Sequence, residues 1–385
     1  MKPSNFISLI IPLAIYTGCK QANQNNDLII VDVSKTDYPE KKLILQDFMD
    51  VEYIPLETTD EFVTQANVLA IGNQYILVKN RISDGDIFIF DRVTGKGLRK
   101  INRRGQGADE YISIDAVVLD EENHEIFVNC DSSRKIFVYD LSGNFKRVLA
   151  HSEEQQILYN IFNYDRENLI RYDDGRNKGV QAYHAIISKK DGSITRSIQI
   201  PYDAVKTPMV TVEDGPLGII FAYVAPIIPN RDNWILVETS SDTIYNYQSK
   251  NNRLIPFVIK TPSSTDPEIF LNMGMLTDRY YFMQTKKMTW DPTLEGGFPT
   301  TDLMYDKKEN TLFETTVLNG DYVKKQKVNM ISHQVPGEIA SFQTLAVNEL
   351  VEANKRGELK GKLKEIAATL DEEDNPVIML VKQKK

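Results

Sequence analysis

Runs of β-branched and aromatic residues, each closed by a polar turn, set the rhythm of this chain. Asp86-Ile-Phe-Ile-Phe-Asp91 and Lys135-Ile-Phe-Val-Tyr-Asp140 stand 49 residues apart, and each is followed by a glycine, Gly95 or Gly143. A strand that runs into a tight turn and recurs at a fixed spacing predicts a repeat architecture. Around these two, strands are predicted at residues 51–56, 68–71, 75–78, 116–119 and 125–129, with weaker echoes at 183–188, 242–247 and 303–306. With Asp91, Asp140, Lys189, Gln248 and Asp306 as equivalent positions, the steps are 49, 49, 59 and 58 residues. Each four-strand group lacks a closed core and must bury its faces against its neighbours, which is the logic of radial blades. The expected fold is all-β, a six-bladed β-propeller. The five repeats would be outer strands, and the sixth blade would form where the two ends of the chain meet.

The C-terminal region supports that closure. Residues 345–354 and 358–370 read as helices separated by Gly357. In the second, Leu359, Leu363, Ile366 and Leu370 step by four, three and four into one apolar stripe. An acidic loop at 371–374 and the turn Asn375-Pro376 lead into Val377-Ile-Met-Leu-Val381, a buried-type strand. Pairing of this strand with the early chain would close the ring and remove two exposed sheet edges.

At the other end, Lys2 and the apolar stretch 6–16 form a segment too short for a permanent membrane span, which needs about 20 apolar residues. It is followed by Thr17-Gly18-Cys19, which resembles a bacterial lipobox, with Tyr16 where Leu is usual. The competing reading is an ordinary secretory signal with an incidental cysteine. The expected organisation is therefore a signal peptide at 1–18, a lipidated Cys19 with a flexible tether to residue 40, and a propeller from 41 to 385. Acyl chains on Cys19 would anchor the domain to a membrane of the cell envelope, the outer membrane being the expected one. Its facing, periplasmic or surface, is left open.

Only two cysteines occur. With Cys19 acylated, Cys130 has no partner, and the core alone must hold the domain. The formal charge of −9 becomes −10 once Lys2 is removed. A net-acidic chain without a basic stripe is not expected to bind nucleic acid. A monomer is expected, without cofactor.

The order Val51-Glu-Tyr-Ile-Pro-Leu-Glu-Thr58, then Gly105-Gln106-Gly107 with Glu110-Tyr111, then Asn375-Pro376-Val377, resembles the six-bladed β-propeller lipoproteins of gut-type Gram-negative bacteria, relatives of the NHL-repeat propellers. The resemblance covers nearly the whole mature chain. It implies a fold and an export route but supplies no catalytic residues. Ala108-Asp109 stand where that family carries Pro-Gly, which puts any functional role of the turn in doubt.

Two loops carry candidate chemistry. In the first, Gly105 and Gly107 expose backbone N–H groups beside Arg103, Arg104 and Gln106, a set suited to holding an anion. The competing reading is a turn whose Glu110 and Tyr111 satisfy neighbouring backbone groups. In the second, Trp290 suits stacking on a sugar ring, with Asp291 and Glu295 accepting hydroxyl hydrogen bonds or forming an acid/base pair. Here the alternative is a tryptophan folded back into a gap between strands. His124, His151, His184 and His333 are scattered without ligand spacing, so no metal site is expected. The function expected is a binding module for a peptide, protein or oligosaccharide on a propeller face. The rival is a hydrolase or lyase acting on a glycan or lactone at the channel mouth.

Overall fold

A computed structural model describes residues 28–81, 84–150, 161–174, 181–212, 218–331 and 339–384. The lipidation expected at Cys19 lies outside the described residues, as do His151 and His333. Strands Asp86–Asp91 and Lys135–Asp140 are buried along nearly their whole length because each is the third strand of a four-stranded antiparallel sheet packed between neighbours. The repeated strand is therefore not the outer one, as the sequence suggested. The fourth strand is outermost, and Gly97–Asn102 turns Leu98, Arg99 and Lys100 to solvent, which hides it from a hydrophobicity pattern.

Blade 1 comprises Asn67–Ile71, Tyr75–Lys79, Asp86–Asp91 and Gly97–Asn102. Blade 2 comprises Ala116–Asp120, Glu125–Cys130, Lys135–Asp140 and Phe145–Ala150, and blade 3 Ile161–Asn163, Asn168–Asp173, Tyr183–Ser188 and Ile194–Ile198. Blade 4 is built from Ile227–Asn230, Asn233–Leu236, Thr243–Gln248 and Arg253–Thr261; blade 5 from Ile269–Leu276, Tyr280–Lys287, Thr300–Asp306 and Thr311–Asn319. The first strands of blades 1 and 2, 2 and 3, 4 and 5, and 5 and 6 lie against one another, which marks them as the inner strands.

Blade 6 is shared by the two ends of the chain. Ile339–Leu345 pairs with Val377–Gln383, which pairs with Met49–Pro55 in the register Val377 to Pro55 and Val381 to Val51. The closure expected from the sequence is therefore present. The N-terminal segment also does more. Ile29–Asp32 adds in parallel to the outer edge of blade 4 opposite Val258 to Thr261, and Glu40–Ile44 adds in parallel to blade 5 opposite Glu314 to Leu318. The first of these strands lies within the segment read as tether. Ile29, Val31 and Val33 point into the core between blades 4 and 5, an alternation too brief to stand out in a polar stretch.

Among the described residues the hydrophobic core divides into six clusters, one at each junction between blades. One, for example, joins Leu77 and Ile89 of blade 1 to Ile126 and Phe137 of blade 2. The ring closes through Ile54, Ile378 and Leu380 of blade 6 against Ile76, Phe88 and Phe90 of blade 1. Burial of this apolar surface between sheets is what makes each blade depend on the next.

Among the described residues, three short α-helices complete the fold. Helix α1 (Leu45–Phe48) lies in the N-terminal strap; α2 (Val347–Lys355) and α3 (Gly361–Ala367) are inserted between the two C-terminal strands. Both C-terminal helices are shorter than the sequence suggested, since Leu345 ends a strand and Leu359 forms a bridge with Tyr322. Leu359, Leu363 and Ile366 still bury one stripe, against a cluster holding Tyr53, Phe282 and Val317.

Candidate functional site

In an antiparallel blade, the turn between strands two and three falls at the same end as the link from strand four to the next blade. Both loops singled out in the sequence lie at this end. They are not brought together: residues 103–111 link blade 1 to blade 2, whereas residues 288–299 belong to blade 5, with blades 6 and 1 between them.

The first loop is folded on itself. Gly105 N–H donates to the Tyr111 carbonyl at 3.1 Å, and Tyr111 N–H to the Arg103 carbonyl at 3.0 Å. The Glu110 carboxylate accepts from Gly107 N–H at 2.8 Å. Tyr111 is wholly buried and donates its hydroxyl to the Gly85 carbonyl at 2.7 Å. Burial is the main reason its phenol is pushed up to about 12. Arg103 donates from Nε to the Gly143 carbonyl at 2.9 Å, joining the turn to blade 2, while the backbone N–H of Arg104 donates to Asn102 Oδ1 at 3.0 Å. Gln106 is exposed at the tip. The N–H groups of Gly105 and Gly107 are thus directed at protein acceptors within the turn.

The second loop also closes on itself. Trp290 is half-buried, lies flat over Gly297, where a Cβ would strike the indole, and meets Phe298 edge-on with ring centroids 5.5 Å apart. Asp291 accepts from the Thr293 hydroxyl at 2.6 Å and its N–H at 2.9 Å, and these bonds hold its carboxyl below the usual range. The side chain of Glu295 lies outside what is described.

Two buried polar sets lie at the faces of blade 3. Toward blade 2, the wholly buried Arg171 has Asp173 at 3.5 Å, and among the described residues its Nε, Nη1 and Nη2 have no hydrogen-bond partner. Toward blade 4, His184 Nε2 lies 2.9 Å from the Pro226 carbonyl, with the ring against Tyr172. Tyr172 in turn donates to Glu238 Oε2 at 2.7 Å. Cys130 is buried; burial alone would raise its thiol, but the hydroxyls of Ser132, Ser133 and Ser113 bring it down to about 7. Among the described residues, no group of three His, Cys, Asp or Glu side chains is placed to hold a metal ion. No helix among them is long and apolar enough to cross a membrane.

The feature that sequence reasoning missed lies between blades 3 and 4. There a two-stranded hairpin, Met209–Thr211 with Ile219–Phe221, stands outside every blade at the same end as the two loops. Met209 pairs with Phe221 and Thr211 with Ile219, so these four side chains share one face. Exposure is 43% for Met209, 52% for Ile219, 57% for Phe221, 60% for Tyr223 and 71% for Val205. Other exposed apolar residues are scattered: Val93, Ile112 and Val323 lie outside the strands, while Ile30, Leu98, Phe145 and Ile194 lie on separate outer strands.

The hairpin is fastened at its base. Lys206 N–H donates to Ser240 Oγ at 3.0 Å, and its ammonium lies 3.1 Å from Asp242. Beyond the return strand, Ala225 N–H donates to Asn272 Oδ1 at 3.1 Å. Its trace in the sequence is the longer step, 59 residues, between Lys189 and Gln248.

A family model described as Domain of unknown function (DUF4934) matches residues 28–382. The chain is similar to the solved "Putative exported protein" of Bacteroides fragilis NCTC 9343, at 15% identity over 90% of this chain and 99% of that one, with a TM-score of 0.58. A member of the duf4221 family from Bacteroides vulgatus ATCC 8482 matches at 9% identity over 88% of this chain and 98% of that one, with a TM-score of 0.47. Comparison with curated proteins finds no match.

Proposed function

This chain belongs to the DUF4934 family, and we propose that it is an exported, lipid-anchored binding module whose hairpin face docks a peptide or protein segment. The observation that carries this reading is the exposure of Met209, Ile219 and Phe221 on one face of an element that no blade needs for its core, with the exposed Tyr223 two residues beyond it. Monomeric proteins rarely leave such apolar groups together in water unless they are covered in use. Large aromatic and Met side chains are also the types enriched in the centres of protein interfaces. The hairpin is the right kind of support, because its base is bonded to blades 4 and 5.

Export and anchoring through Cys19 are supported by the lipobox-like Thr17-Gly18-Cys19. The tether would leave the loop-bearing end of the ring accessible. The test is selection from a displayed library of random peptides on the immobilised full chain. Selected peptides should bind the parent and lose at least tenfold in affinity on a chain carrying Ile219→Asp and Phe221→Asp, with unfolding temperature unchanged. Equal binding to both chains would overturn the reading.

A further inference from the structure

Lys286 lies near the loop end of the second strand of blade 5, and its ammonium donates at 3.2 Å to the carbonyl of Tyr223, two residues beyond the hairpin's return strand. Four other part-buried or buried lysines have acids beside them: Lys41 has Asp306 at 2.8 Å, Lys189 has Asp120 at 2.5 Å, Lys206 has Asp242 at 3.1 Å, and Lys260 has Glu268 at 2.7 Å. Lys79 also donates to a backbone carbonyl, that of Ile114, but Asp115 and Asp84 act on its charge. Among the described residues no carboxylate lies within 4.0 Å of Lys286. Its pKa is pushed down by burial alone, with no charged neighbour contributing in either direction. An ammonium has three donors, and one carbonyl leaves most of that capacity unused. In a chain with a net charge of −9, a half-buried cation without an acid, set against an exposed aromatic patch, is an unbalanced charge. A partially desolvated charge costs free energy unless an opposite charge reaches it.

We infer that the segment docking on the hairpin is an acidic peptide, with one carboxylate seated on Lys286 and apolar side chains against Met209, Ile219 and Phe221. This rests on the reading of the hairpin as a docking face. The carboxylate would gain a charge-assisted hydrogen bond at the edge of an apolar contact, where water is partly excluded. The arrangement favours an acidic over a neutral apolar segment, because only the former balances the lysine.

Peptides enriched by the selection above supply the probe. They should share an Asp or Glu at one fixed position, and its replacement by Asn or Gln should weaken binding to the parent chain about tenfold or more. The same replacement should matter less than about twofold on a Lys286→Met chain, while Lys286→Arg should keep the preference. Peptides that lose affinity with the Ile219→Asp and Phe221→Asp pair, yet ignore both the carboxylate and Lys286→Met, would overturn this inference and leave the docking face standing. Peptides that bind the hairpin variant as well as the parent, or a selection that enriches none, would overturn both.

Discussion

The ammonium of Lys41 lies 2.8 Å from Oδ2 of Asp306, a carboxylate whose side chain has no solvent exposure. Arg279 reaches the same oxygen at 2.8 Å from the other side, itself about two-fifths exposed. The pair ties the N-terminal strap to blade 5 across 265 positions of sequence. Burial alone would raise the Asp306 carboxyl, but the hydrogen bonds from Arg279 and Lys41 hold it far below the usual range.

Lys41→Met should therefore destabilise the protein by about 2 kcal/mol at neutral pH in urea unfolding. That is less than the loss of a wholly buried pair, because the solvent-screened Arg279 remains. A carboxylate whose pKa is depressed in the folded state stabilises above its unfolded value and loses that contribution as acid is added. The difference between parent and variant should shrink below about pH 4. A gap that stays constant from neutral pH down to the acid limit would show that Asp306 is not its source.

The turn after the third strand of blade 1 separates two effects of a glycine. Gly95 has φ +72°, and a Cβ there would land on the carbonyl oxygen of Pro55, in the strand of blade 6 that closes the ring. Gly296 has φ +74° but no atom within 4 Å of such a Cβ. Gly296→Ala should lose about 1 kcal/mol from backbone strain alone. Gly95→Ala should lose at least about 2 kcal/mol more by displacing the closing seam. Equal losses, measured by thermal unfolding, would contradict the tight approach of blades 1 and 6.

His184 predicts the pH dependence of the blade 3 to blade 4 junction. Burial lowers it from 6.5 to about 4, so the folded protein keeps it neutral where the unfolded chain takes up a proton. The unfolded state then binds more protons between about pH 4 and 6.5, and stability must rise with pH through that window. The full shift corresponds to about 3 kcal/mol. His184→Gln should flatten the upper part of this rise, above the range where carboxylates titrate. An unchanged slope there would place the proton uptake elsewhere.

The proposed attachment through Cys19 carries its own prediction. Cys19→Ser should move the protein from the detergent-soluble membrane fraction to the soluble fraction and abolish incorporation of labelled fatty acid. Retention of the serine variant on the membrane would point to a different mode of association.

What the sequence revealed follows from where hydrophobic surface is continuous. Ile87 to Phe90 and Ile136 to Tyr139 announce themselves because blades press on them from both sides. Closure by residues 377–381 was legible for the same reason. The fourth strands were not, since Arg99 and Lys100 face water and their pairing is made by backbone groups that any residue supplies. Ile29–Asp32 was hidden too, because its partner at 258–261 is parallel and distant, and no turn links them.

The candidate residues fared differently. Glu110, Tyr111 and Trp290 stood out by type, yet each makes contacts within its own loop. Lys286 carries no motif at all. Its isolation from acids exists only in three dimensions, and a linear pattern of charges cannot display it.

The N-terminal strap imposes an order on how this molecule is completed. Ile29–Asp32, Glu40–Ile44 and Met49–Pro55 are made first, yet the edges that receive them end at residues 261, 318 and 383. These strands must therefore wait, unpaired, until two-thirds or more of these residues have been synthesised, and a copy without Val377–Gln383 has no strand to pair with Met49–Pro55. Loss of Val377–Gln383 would thus leave the edge of Met49–Pro55 unpaired and open to proteases.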